Sequence, residues 1–241
     1  MSRYVATDWH GQYQLAKQIL DYLKPDDELY FLGDAIDRGP HGLKIMSELL
    51  LDKRVTYLRG NHEDIMLDCL TDMLDGHYDG VAHWITNGGL EAFQQLEFSS
   101  EETKVKLIRD IMRMPQRIDL VNEKGQTIIL THAGFSPWYT EEDMRLMGRK
   151  YPYIWDRKHL HDCSRFDMEE YKDTYIIHGH TPVEYLKYQY GCDTITDEKE
   201  TIITYSDGHK IDLDLASFVT GRAALFDLDT FEVVYFDAEV E

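Results

Sequence analysis

Three times in its first 63 residues the chain runs from a short apolar stretch straight into a polar, glycine-bearing motif. Tyr4-Val5-Ala6-Thr7 leads into Asp8-Trp9-His10-Gly11, and Glu28-Leu29-Tyr30-Phe31-Leu32 into Gly33-Asp34-Ala35-Ile36-Asp37-Arg38-Gly39. Val55-Thr56-Tyr57-Leu58 leads into Gly60-Asn61-His62-Glu63. Between them, Leu15, Ile19, Leu20 and Leu23 recur on one face of a predicted helix over 13–23, and a second helix is predicted over 42–51. The order βαβαβ calls for a parallel sheet with right-handed crossovers. In such sheets the loops at the carboxyl ends of the strands carry the chemistry.

Residues 63–115 read as largely helical, with the paired glycines of His83-Trp84-Ile85-Thr86-Asn87-Gly88-Gly89 breaking the period and a charged helix over 101–114. Strands are predicted at 117–121 and 126–131, around the turn Asn122-Glu123-Lys124-Gly125, and at 174–177. The second and third of these end in Thr131-His132-Ala133-Gly134 and His178-Gly179-His180-Thr181. Residues 141–172 are polar, with aromatic clusters at Tyr151, Tyr153 and Trp155. The last third is β-rich, with strands at 202–205, 211–215, 223–228 and 232–236, which implies a second sheet packed on the first. The expected fold is α/β (mixed α+β). No flexible linker or internal repeat divides the chain, so one domain over 1–241 is expected.

The 45 acidic residues against 25 basic ones give a formal charge of −20. That argues against non-specific partnership with nucleic acid or an anionic membrane, since both select basic surfaces. It does not exclude an anionic substrate, because two divalent cations would add about four positive charges locally. Cys69, Cys163 and Cys192 are an odd, widely spaced set without a CxxC pair, so neither a cysteine–zinc site nor a disulfide framework is indicated. Reduced thiols, the lack of a signal-like leader and the lack of a transmembrane-length run lead to the expectation of a cytoplasmic protein.

The five motifs bring together carboxylates, imidazoles and one carboxamide, a donor set suited to two hard-to-borderline divalent ions. A lone His or Asp at a strand end is more often a cap; five strand ends each supplying such a group point to a metal site. Two metals roughly 3.5–4 Å apart clamp the attacking and leaving oxygens of a phosphoryl transfer. Asp34 is the candidate bridging ligand, because it lies between the other ligand loops. Asp8 and His10, two residues apart in an extended turn, would reach one ion, and Asn61, His132 and His180 would complete the shell of the other. His62, adjacent to Asn61, points elsewhere and is the candidate general acid, with Asp37 orienting its ring. Arg38 and Arg157 are candidates to fork the phosphoryl oxygens, although Arg157 on its spacing alone reads as a surface ion-pair partner. His178 is an extra imidazole, read equally as a supporting group behind the ligands or as a core residue.

The order DxH, GDxxDRG, GNHE, a lone His and GHT resembles the calcineurin-like metallophosphoesterases, and more narrowly the bacterial and bacteriophage lambda-type serine/threonine phosphoprotein phosphatases. The DRG and GNHE variants carry the narrower likeness, together with His83 to Gly89 and Ile154-Trp155-Asp156-Arg157, over roughly 3–228. The resemblance implies two mixed β-sheets packed as a sandwich and flanked by helices. It assigns Asp8, His10 and Asp34 to a first metal, and Asp34, Asn61, His132 and His180 to a second. It makes His62 the general acid with Asp37 as partner, and Arg38 and Arg157 phosphate-binding residues. Manganese is the metal the resemblance implies, with iron or zinc as alternatives. Two positions depart from the family pattern: Thr7 stands where many relatives have glycine, and Leu213-Asp214-Leu215-Ala216 replaces the usual Asp-Thr-Gly-Ala.

The leading functional expectation is a metal-dependent phosphomonoesterase with broad specificity acting on phosphoserine and phosphothreonine in phosphoproteins or phosphopeptides, with phosphotyrosine and small phosphate esters as further substrates. In that reaction a hydroxide bridging the two metals attacks phosphorus in line and His62 protonates the leaving alkoxide. The alternatives are symmetrical dinucleoside tetraphosphate hydrolysis and a non-catalytic phosphate-binding scaffold.

Overall fold

The structure is a computed structural model that describes residues 1–147, 151–161, 166, 168–190 and 201–238. Cys163, Cys192 and the whole of residues 191–200 lie outside the described residues. The N-terminal half runs β1 (Arg3–Ala6), α1 (Tyr13–Tyr22), β2 (Glu28–Phe31), α2 (Gly42–Leu51), β3 (Val55–Tyr57) and α3 (Asn61–Leu74). Then come α4 (Val81–Trp84), a π turn at Ile85–Gly89, α5 (Leu90–Glu97) and α6 (Glu101–Arg113). The strands β4 (Arg117–Val121) and β5 (Thr127–Thr131) are followed by α7 (Glu141–Met147), α8 (Tyr151–Ile154) and a 3-10 turn at Lys158–His161. The chain continues through β6 (Thr174–His178), α9 (Val183–Tyr190), β7 (Ile203–Tyr205), β8 (Lys210–Asp212), α10 (Ser217–Thr220), β9 (Arg222–Asp227) and β10 (Val233–Asp237).

Two mixed sheets result, in the orders β10-β9-β1-β2-β3 and β4-β5-β6-β8-β7. As the βαβαβ pattern requires, β1, β2 and β3 are parallel, with Val5 opposite Tyr30 and Tyr30 opposite Thr56. The strands β5, β6 and β8 form the parallel centre of the second sheet. Strand alternation divides each sheet between two environments. Val5 and Leu32 from the first sheet pack with Ile128, Leu130, Ile177 and Ile211 from the second, forming the core between the layers. Leu29 and Phe31 face the other way, onto Leu15 and Ile19 of α1, Ile45 and Leu49 of α2, and Met66 and Leu70 of α3.

The C-terminal strands differ from the expectation. β9 and β10 do not extend the second sheet; they return to the first, where β9 pairs antiparallel with β1, Val5 opposite Phe226. The reason lies in β1, whose second edge would otherwise leave its backbone polar groups unpaired beside the core. Among the described residues no helix is long and apolar enough to cross a membrane.

Candidate active site

The carboxyl ends of β1, β2, β3, β5 and β6 converge where the two sheets meet, and their loops are stitched by backbone bonds. Asp8 N–H donates to Gly33 O (3.1 Å), His10 N–H to Asp34 O (3.0 Å) and Gly179 N–H to His132 O (2.8 Å). The Asp8–His10 turn is not extended: Asp8 has φ 56° and His10 φ 42°, and Asp34, Asp37, Arg38 and His180 are also left-handed. Backbone in this region costs roughly 1–2 kcal/mol for a residue with a side chain. Six such residues at one locus store strain of the kind that functional loops hold. The turn still brings Asp8 Oδ1 and Asp34 Oδ2 each to 3.7 Å from His10 Nε2.

Asp34 lies at the centre. It belongs to one group with His10 and His62 and to another with His132 and His180; within each group the ligand-type atoms lie within 4.8 Å of one another and all the residues are buried. His132 Nε2 is 3.4 Å from Asp34 Oδ2 and 2.9 Å from Asn61 Oδ1, and His180 Nδ1 is 2.7 Å from Asn61 Oδ1. Asn61 and His62 begin α3 and diverge as adjacent residues must: Asn61 faces the His132–His180 side, while His62 Nε2 lies 3.7 Å from Asp34 Oδ2.

The donor chemistry fits divalent cations. His10 Nδ1 lies 2.9 Å from Ile36 O and His132 Nδ1 3.1 Å from Leu32 O. A carbonyl only accepts, so each Nδ1 carries the proton and each Nε2 presents its lone pair to the cluster, the arrangement metal-binding histidines share. His180 Nε2 is buried without a hydrogen-bond partner. Burial, reinforced by His62 and Arg38, holds the His10 pKa well below its ordinary value. Burial likewise lowers His132 to about 3 and puts His180 well below the ordinary range, so the surroundings of all three imidazoles disfavour their charged forms. Asp8 is pushed the other way, well above the carboxylate range, by burial and by the charges of Asp214 and Asp34.

His62 has a distinct setting. Its Nδ1 lies 2.8 Å from Asp37 Oδ2, and Trp84 Nε1–H donates to both Asp37 oxygens at 3.1 Å. Burial opposes charge on this imidazole, yet Asp34 and the hydrogen-bonded Asp37 outweigh it and raise its pKa. The buried dyad lies under the exposed Arg38, whose guanidinium nitrogens lie 2.9 Å from His10 Nε2 and 3.1 Å from His62 Nε2. Arg157, also exposed, is not a remote surface residue: it donates to Thr181 Oγ1 (3.1 Å) and His180 O (3.4 Å).

Several further residues support the site. Glu63 Oε2 accepts from Asp34 N–H (2.8 Å) and Gly60 N–H (3.0 Å), and Oε1 from Ala35 N–H (3.0 Å) and Tyr57 O–H (2.8 Å). It ties the β2 loop to the start of α3, and its capping-box spacing from Gly60 was the available signal. Asp214, in the segment that departs from the family pattern, is buried, and burial raises its pKa to about 6. Thr7 replaces the family glycine without loss, its hydroxyl donating to Asp8 Oδ2 at 2.6 Å. His178 is buried beside the candidate ligand loops and hydrogen-bonded at both nitrogens: its Nδ1 donates to Gly179 O (3.0 Å) and its Nε2 accepts from Tyr205 O–H (2.7 Å). Beside it, His159 Nε2 donates to Ala133 O (2.7 Å), and buried Lys210 donates to His159 O. This network braces the Arg157 turn against two ligand loops.

Buried imidazoles and carboxylates under exposed arginines, at strand ends of a two-sheet α/β fold, define a metal-dependent phosphoesterase. The calcineurin-like phosphoesterase family model matches residues 1–212, and the chain belongs to that family. It is 32% identical over 135 residues to serine/threonine-protein phosphatase 2 of Escherichia coli (strain K12), a match covering 55% of this chain and 58% of that protein. It is 26% identical over 201 residues to the asymmetrical bis(5'-nucleosyl)-tetraphosphatase PrpE of Halalkalibacterium halodurans, covering 73% of this chain and 76% of the relative. A Saccharomyces cerevisiae protein serine/threonine phosphatase has a similar fold, with TM-score 0.62 at 13% identity, over 100% of this chain and 81% of that one.

Proposed function

We propose that this chain is a dinuclear phosphomonoesterase that releases phosphate from serine and threonine in proteins, with broad specificity and with manganese as its working metal. Asp8, His10 and Asp34 would hold one ion, and Asp34, Asn61, His132 and His180 the other. When bound, the ions supply Lewis acidity and a nucleophile at neutral pH. Arg38 and Arg157 orient the phosphoryl group, and His62 Nε2 delivers the proton to the leaving oxygen.

The observation that carries this reading is the Asp37–His62 pair, 2.8 Å apart and buried, with His62 Nε2 beneath Arg38. An alkoxide is a poor leaving group and departs only with a proton; a phosphate leaving from an anhydride needs far less help. A general acid whose protonated form is favoured by two neighbouring carboxylates therefore suits a phosphomonoester. A groove of about 260 Å³ between Trp155 and α3 is lined by Asp64, Asp68, Asp72 and His83 among others. Dinucleoside tetraphosphate hydrolysis is the second reading, supported by the likeness to PrpE over 73% of the chain.

The test is hydrolysis of a phosphoserine peptide and of diadenosine tetraphosphate, side by side, with manganese and one protein preparation. Faster release from the peptide is the expected result. Faster cleavage of the tetraphosphate would replace this reading with the second, and silence on both with metal bound would make the protein a phosphate-binding scaffold.

A further inference from the structure

At the rim of the site stands a large apolar side chain that neither the core nor the ligand set uses. Phe218, on the four-residue α10, is 38% exposed, and its neighbour Val219 is 71% exposed. The Phe218 ring centroid lies 4.6 Å from Arg38 Cζ, and the ring meets the His10 imidazole edge-on at 5.5 Å between centroids. An aromatic ring over a guanidinium is attracted by its quadrupole, so Phe218 also fixes the direction of Arg38.

The turn that carries the ring is firmly held. Ala216 and Gly221, both left-handed at φ 52° and 62°, bracket α10. Ala216 N–H donates to Asp214 Oδ1 (2.9 Å), Asp214 N–H to Asp212 Oδ1 (2.9 Å), and Thr220 Oγ1–H to Leu215 O (2.9 Å). Ser217 is buried. A fixed, partly exposed apolar ring is thus held at the rim beside the guanidinium that would grip the phosphoryl group.

Resting on the phosphomonoesterase reading, we infer that Phe218 is a specificity-determining residue, a platform for the aromatic leaving group of an aryl phosphate monoester such as phosphotyrosine. In an aryl ester the ring is bonded directly to the leaving oxygen, within reach of a side chain packed on Arg38. In a serine ester that position holds only a methylene, which offers little surface to stack. Hydrolysis balances in the ordinary way: the P–O(aryl) bond breaks, water supplies the new P–O bond, and the phenolate oxygen receives one proton. Aromatic pairs contribute enough beyond simple burial to give roughly a two- to tenfold preference.

The experiment compares wild type, Phe218→Ala and Phe218→Trp on two manganese-supplemented peptides of identical flanking sequence, one phosphotyrosyl and one phosphoseryl, reading kcat and KM for each. Phe218→Ala should lower kcat/KM for the phosphotyrosyl peptide roughly two- to tenfold more than for the phosphoseryl one, and Phe218→Trp should restore the difference. Equal losses on both peptides, or none on either, would overturn the inference while wild-type turnover upheld the phosphomonoesterase reading. A wild-type protein that binds metal and cleaves neither peptide would overturn both.

Discussion

In the proposed reaction, His62 concentrates the chemistry of single side chains. Its ring is pinned through Nδ1 by Asp37, and Asp37 is pinned in turn by Trp84, so one nitrogen is left to face the reacting group. His62→Asn should lower kcat on a phosphoserine peptide by roughly 10²–10⁴-fold, the span of general acid catalysis. Manganese affinity, measured by calorimetry, should change little, because the proposed ligands Asp8, His10, Asp34, Asn61, His132 and His180 all remain in the variant. Undiminished turnover in the variant would remove His62 from the reaction. Most of these residues were legible in sequence because the ligand loops lie next to strands whose pattern is unmistakable. Asp214 and Phe218 were not, since Leu213-Asp214-Leu215-Ala216 departs from the family pattern and the proximity of this segment to Arg38 arises only when the chain returns after β8. The left-handed turn at Asp8 and His10 was equally hidden: neither residue type demands φ > 0, and the contacts with the β2 loop impose it.

At the level of elements, the break at Gly88 and Gly89 has a job that hydrophobic period alone does not disclose. Gly88 sits at φ +96°, and a Cβ there would lie 2.7 Å from Arg38 Cγ and 3.0 Å from Arg38 N, while its carbonyl accepts from Arg38 N–H at 2.8 Å. The π turn between α4 and α5 is therefore a seat for the Arg38 loop. Gly88→Ala should displace the guanidinium and reduce kcat/KM by about 10–100-fold, mostly through KM, in line with the cost of misplacing a group by about 1 Å. Gly76→Ala is the matched control: it shares the strained conformation at φ +78° but has open space around the added Cβ. If both substitutions left phosphate release equal to wild type, Gly88 would be only a chain reversal. Sequence reading located the β1–α1–β2–α2–β3 run closely because each element satisfies its own pattern. It put β9 and β10 in the wrong sheet because antiparallel pairing to a distant edge leaves no mark in the strand that pairs.

Across the whole molecule the acidic excess is not spread evenly. Asp8, Asp34, Asp37, Asp212 and Asp214 are all buried, in a chain already carrying −20. Each buried carboxylate costs several kcal/mol unless paired or hydrogen-bonded, and Asp8 and Asp214, both raised first by burial, record that cost in their pKa values. Divalent cations bound between them would offset it, and a ligand that binds only the folded chain stabilises it by mass action. Manganese at 100 times its dissociation constant should contribute about 2.7 kcal/mol per independent site. For a domain of this length each kcal/mol raises Tm by roughly 2–4 °C, so a calorimetric scan should show Tm rising by roughly 5–11 °C for one site. A chelator should reverse the gain. Magnesium or calcium should give less, because histidine donors favour a softer ion than oxygen cages do. General screening of the surface charge would also raise Tm, and Asp34→Asn separates the two effects. The variant keeps nearly all of the surface charge and loses the carboxylate common to both ligand groups. It should respond to manganese no more than to an equal ionic strength of magnesium. An undiminished manganese-specific shift in Asp34→Asn would move the metal centre away from the junction of the two sheets.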